Sequence, residues 1–145
     1  MGGFRFDFEE GILWMNLPSG RRIAYYGAKY EESKWKPGRK VLSYMGVNQQ
    51  SKKWERVETW GGKLTENLVQ ATARDCLRES MLALDNAGYD IRAHVHDEVI
   101  IELPTTQDAE AALDNVVRIM SIVPSWAEGL PLSAAGWHGD FFTKD

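Results

Sequence analysis

The chain reads as an α+β protein: an antiparallel β-sheet with helices packed on it. Three observations predict this. Short apolar runs flank turn residues between residues 12 and 26, and Ala93 and Val95 alternate with Arg92, His94 and His96 before the β-branched run Val99-Ile100-Ile101, all signals of strands. A longer stretch, about 59–86, switches to spacings of three and four, the period of a helix. A second helical stretch follows Pro104. With 145 residues, the chain holds one domain's worth of sequence and enough material for a real core.

The elements follow in order. Met1-Gly2-Gly3 reads as a flexible start or truncation scar, and residues 1–10 carry no clear signal. Ile12–Leu17 predicts a strand, Pro18-Ser19-Gly20 a turn, and Arg21–Tyr26 the returning strand. Residues 30–38 read as a polar connection ending in Pro37-Gly38, residues 40–47 as a third strand, and residues 48–53 as a loop. In the long helix, Val69, Ala73, Cys76, Leu77, Ser80, Leu84 and Ala87 mark the expected buried stripe. Gly61-Gly62 weakens its start, and Asn86-Ala87-Gly88 is its stop signal. Thr105 and Asp108 form a Thr-x-x-Asp box expected to open the next helix. Ala112, Leu113, Val116, Val117 and Met120 line that helix, and Pro124-Ser125-Trp126 ends it. Residues 132–137 read as a last strand, and no internal repeat is visible.

Composition narrows the function classes. No apolar run approaches the roughly 20 residues that span a bilayer, so no membrane partner is expected. No basic segment precedes an apolar one at the N-terminus, and the single Cys76 rules out an internal disulfide. Both fit a cytoplasmic location. Six tryptophans are many for this length and include candidates for a contact surface. The net charge of −4 hides an asymmetry. Residues 1–63 carry 12 Lys+Arg against 7 Asp+Glu, or +5, while residues 64–145 carry 5 against 14, or −9. The basic half suits a polyanion.

Chemistry concentrates in His94-Val95-His96-Asp97-Glu98-Val99-Ile100-Ile101-Glu102. Apolar residues run up to an acidic dipeptide and away from it, which predicts a hairpin broken near Asp97-Glu98. Two adjacent carboxylates repel unless a cation lies between them, so the pair suits a hard metal such as Mg²⁺. An ordinary acidic turn is the plainer reading. His94 and His96, two apart on a strand, would share a face and, with Glu98 or Glu102, could hold a transition metal. On the long helix, Lys63, Asn67, Gln70 and Arg74 recur at steps of four, three and four and so form one polar row. A solvated face is the default for such a row. Amides and guanidinium groups in line are also suited to the minor-groove acceptors common to all base pairs.

Taken together, Gly61-Gly62-Lys63-Leu64-Thr65-Glu66-Asn67-Leu68-Val69-Gln70-Ala71-Thr72-Ala73-Arg74-Asp75, the run His94-Val95-His96-Asp97-Glu98-Val99 and the tail from Pro124 to Leu132 resemble family A DNA polymerases of phage and prophage type. The resemblance runs from about Leu17 to the C-terminus. It implies a single palm-like domain fragment, with 1–53 a basic hairpin region and linker and 54–145 the long helix, acidic hairpin, helix and final strand. It implies that His96-Asp97-Glu98 is the third catalytic motif. There the aspartate binds catalytic Mg²⁺, the glutamate supports the metal, and the histidine lies near the primer terminus. Gln70 matches the glutamine that touches the primer–template minor groove, with Asn67, Arg74 and Lys63 as neighbouring DNA contacts. The family's other metal-binding aspartate, its nucleotide-gripping fingers helix, and its exonuclease and thumb regions have no counterpart here. The expectation is therefore a C-terminal polymerase portion. It would meet a dNTP only with the missing fingers, would pair with the remaining polymerase portion, and would be inactive alone. A non-catalytic DNA-binding or assembly module, and a metalloenzyme built on His94, His96 and Glu102, are the alternatives.

Overall fold

The computed structural model describes residues 4–142, so the Met1-Gly2-Gly3 start lies outside the described residues. The architecture is α+β, as expected. The chain forms two compact units that meet in sequence between Thr72 and Ala73, within the long helix.

The first unit holds a five-stranded antiparallel meander: β1 (Arg5–Glu9), β2 (Ile12–Asn16), β3 (Arg22–Glu32), β4 (Lys40–Val47) and β5 (Trp54–Thr59), in that order. β1 was not legible in the sequence because its alternation sets phenylalanine against charge on an exposed edge strand, a composition that also blunts edge pairing. It joins β2 through Glu10-Gly11, both at positive φ, the backbone a two-residue hairpin turn demands. β3 runs on to Glu32, well past Tyr26. Its register shifts between Tyr26 and Lys29, around Gly27 at φ 57, and pairing then resumes with Lys29 opposite Ser43. Gly27, the first residue beyond the expected strand, lies in a bulge. Arg56 Nη1 ties the bulge down, donating to the Gly27 carbonyl and to buried Ser43 Oγ, each at 3.0 Å. Residues 54–59, grouped with the helix in the sequence reading, are an outer strand of this sheet.

Helix α1 (Gly61–Asn86) begins in this unit. Leu64, Leu68 and Ala71 pack against a core of Met15, Leu17, Tyr25 and Ala28, joined by Leu13, Ile23, Leu42 and Tyr44. Tyr25 and Tyr44 meet edge to face at 5.0 Å.

The second unit comprises the rest of α1, a separate hairpin of β6 (Asp90–Val95) and β7 (Glu98–Glu102), helix α2 (Ala109–Met120) and a 3₁₀ turn at Ser125–Ala127. α1 stops where expected. Gly88 sits at φ 85, Gly88 N–H donates to the Asp85 carbonyl and Tyr89 N–H to that of Leu84, which is the Schellman arrangement. Cys76, Leu77, Ser80 and Leu84 are buried as expected. Val69, 61% exposed, and the exposed Ala73 and Ala87 are not. One helix serves two units, so no single stripe runs its whole length.

Three expectations near the C-terminus are corrected. Asp108 is itself the N-cap of α2, accepting from Glu110 N and Ala111 N, so the helix begins three residues later than the Thr105 box implied. α2 ends at Met120 with Ser121 as its cap, and Pro124 instead precedes the 3₁₀ turn. Residues 132–137 form no strand. Ala134 N–H donates to the Ser121 hydroxyl, and Gly136 lies so close to Leu113 that an added Cβ would stand 2.8 Å from Leu113 Cδ1. A strand needs a ladder partner, and this segment is held by side chains of α2 and its cap.

Candidate functional site

The acidic hairpin forms, with its turn one residue earlier than expected. Val95 pairs with Glu98, so the two-residue turn is His96-Asp97 and Glu98 opens β7. Such turns demand positive φ, normally supplied by Gly or Asn. Here His96 sits at φ 52. Left-handed backbone costs a side-chain-bearing residue roughly 1–2 kcal/mol, and strain of this kind collects at functional sites. Because His96 occupies the turn, it does not continue the strand alternation of His94, and the expected shared histidine face is absent.

His96, Asp97 and Glu98 are all exposed. The hairpin carries four carboxylates, and its single arginine divides them. Arg92, at a register irregularity in β6, reaches Asp90 Oδ2 at 2.7 Å and Glu102 Oε2 at 2.6 Å at the open end. Among the described residues, neither Asp97 nor Glu98 has an ion-pair or hydrogen-bond partner for its carboxylate. The tip therefore presents two oxygen-donor groups whose charges no ion pair among the described residues offsets. They suit a hard cation in donor chemistry. Among the described residues, however, no three His, Cys, Asp or Glu side chains converge on a metal-sized site. This removes the His94–His96–Glu102 arrangement. Glu102 is bound to Arg92 and lies four strand positions from Glu98, roughly 13 Å along β7.

The polar row of α1 is divided between the units. Lys63, Asn67 and Gln70 belong to the first, and Arg74 belongs with the hairpin to the second. Lys63 Nζ bonds both Glu66 oxygens at 3.0 Å, and Gln70 Nε2 lies 3.4 Å from Glu66 Oε1. Gln70 is exposed on the helix surface. Asn67 departs from the expectation of a free reader: its amide donates to the Tyr25 hydroxyl at 2.9 Å and ties α1 to the sheet. Burial pushes the Tyr25 phenol above its usual pKa, Asn67 pulls it back, and Tyr44 adds to the rise. Arg74 Nη2 lies 3.4 Å from His94 Nε2. A guanidinium has no acceptor, so this bond needs the Nε2 lone pair of His94 and a proton on Nδ1. Periodicity placed Arg74 on the row but could not reveal this partner, 20 residues away. Cys76 is buried in the second unit. Its thiol is pushed up by burial first and by the neighbouring Asp75 charge second, consistent with packing rather than reactivity.

The chain is 48% identical over 143 residues to a DNA polymerase of Bacillus phage SP02. The match covers 99% of this chain and 21% of that protein, so the chain spans about a fifth of the length of the curated relative it matches. No family model matches the chain, and no solved structure matches it. Among the described residues, no helix is long and apolar enough to cross a membrane.

Proposed function

We propose that this chain is the C-terminal palm portion of a family A DNA-directed DNA polymerase, contributing one side of a nucleotidyl-transfer site. The observation that carries this reading is the hairpin tip. Asp97, in a turn strained at His96, and Glu98, at the start of β7, are exposed and without an ion-pair partner among the described residues, in a chain similar along its length to part of a DNA polymerase. In the complete enzyme the primer 3′-hydroxyl would give up its proton to solvent and attack the nucleotide α-phosphate, forming a P–O bond as the α–β P–O bond breaks and pyrophosphate leaves.

Asp97 would hold a catalytic Mg²⁺, with Glu98 supporting it. Such ions, when bound, polarise phosphoryl oxygens and offset developing charge. Among the described residues no third carboxylate, histidine or cysteine joins this pair, which fits a site completed by another part of the polymerase, so the chain by itself is expected not to polymerise. His96 lies next to Asp97 in the turn and would position the primer end. Gln70 and Lys63 offer donors to the minor-groove acceptors and phosphates of a primer–template. Arg74, bonded to His94, would act through the hairpin, while Asn67 serves chiefly to fasten the helix.

A chimaera tests this directly: the matching segment of the Bacillus phage SP02 polymerase is replaced by this chain. Primer extension should persist in the chimaera and fall by about a hundredfold to a thousandfold with Asp97→Asn, the scale of losing a principal electrostatic element of catalysis. Full activity in the Asp97→Asn chimaera would overturn the assignment. Extension by the isolated chain would overturn the fragment reading.

A further inference from the structure

The connection between β3 and β4 takes no part in the site above, yet it is built with care. Ser33 N–H donates to the Arg39 carbonyl at 2.8 Å and closes the loop. Buried Ser33 Oγ accepts from Trp35 N and Lys36 N and donates to Glu58 Oε2. Glu58 Oε1 accepts from Lys34 N at 2.6 Å, and Glu32 Oε1 from Gly38 N at 2.8 Å. The two neighbouring carboxylates are thus bonded to backbone amides, and Glu58 also to a hydroxyl, while the cations stay unpaired. Among the described residues, Lys34, Lys36, Arg39 and Lys40 have no ion-pair partner, and all four are exposed. Trp35 stands among them 83% exposed.

We infer that this tip is a binding site for single-stranded DNA, in which the phosphates meet Lys34, Lys36, Arg39 and Lys40 and an unpaired base stacks on Trp35. A solubilising loop needs cations but gains nothing from an indole left in water. A cationic tip with an exposed aromatic is the combination that holds single strands, because an unpaired base offers a face that a duplex keeps stacked. The choice of DNA rests on the polymerase reading, since a template is single-stranded beyond the primer end. The tip itself lies in the first unit, apart in sequence from the acidic hairpin.

Fluorescence anisotropy with the 145-residue chain and labelled oligo-dT, single-stranded or annealed, tests this over a salt series. Oligo-dT should bind more tightly than the duplex, and Trp35→Ala should weaken it about tenfold or more. Four phosphate contacts predict a log–log salt slope near about −2.8, falling to about −1.4 in the Lys34→Gln/Lys36→Gln double variant. Melting midpoints should stay unchanged, since these side chains are exposed and, among the described residues, have no hydrogen-bond or ion-pair partner. Wild-type affinity in Trp35→Ala, an unchanged salt slope, or no oligo-dT binding at all would overturn the inference. Any of these would leave the Asp97-dependent chimaera result standing. Loss of that result with tip-dependent binding intact would overturn the polymerase assignment alone.

Discussion

Asn67 separates a DNA-reading role from a structural one, and the Tyr25 bond sets the scale. Tyr25 is 3% exposed, and its hydroxyl accepts the Asn67 amide at 2.9 Å. In Asn67→Ala the hydroxyl stays buried and loses that donor, at a cost of about 1–3 kcal/mol. Tyr25→Phe removes the hydroxyl and frees a half-buried amide that water can reach, so about 0.5–1.5 kcal/mol is expected. Once either partner is gone, the second substitution has no shared bond left to break. The double variant should therefore fall short of the sum by at least about 0.5 kcal/mol. Urea unfolding followed by far-UV circular dichroism measures all four corners of this cycle. Gln70→Ala is the control, expected within about 0.5 kcal/mol of wild type, because among the described residues its exposed amide meets only Glu66. Additivity within about 0.3 kcal/mol, or a neutral Asn67→Ala, would show that the bond does not fasten the helix.

Further expectations follow from the same geometry. Leu84 is fully buried, so Leu84→Ala should cost about 2–5 kcal/mol; a loss below about 1 kcal/mol in urea unfolding would mean the surrounding core collapses onto the vacated space. His96→Gly relieves left-handed strain while loosening the unfolded chain, so stability should be unchanged or up to about 1 kcal/mol higher. A clear destabilisation would show that the imidazole supports the fold. Burial raises the folded-state pKa of Tyr25. The stability this contributes is fully present below the unfolded phenol value near about 10 and is lost as pH rises through the folded value. The urea midpoint should therefore decline above about pH 10, and less steeply in Tyr25→Phe; parallel declines would refute the link.

Elements with strong local period were legible in the sequence. β2, β4, the bulk of α1 and its Gly88 stop came through, because short apolar runs between turn residues, helical spacing and a glycine cap are local properties. The acidic turn was legible too, displaced by one residue. β1 and the far end of β3 were not, since the first hides its phenylalanines among charges and the second crosses a glycine bulge. The stretch 132–137 looks like a strand by composition, but it has no ladder to join.

The residues by themselves determined the class of fold, the position of the acidic dipeptide and the polar row on α1. Tertiary structure alone decided which of those groups are free. It gave Asn67 to Tyr25 and Arg74 to His94, closed Arg92 over the open end of the hairpin, and left Asp97 and Glu98 without a counter-charge among the described residues. Which donor meets which acceptor depends on separations in space that the order of residues along the chain does not encode locally.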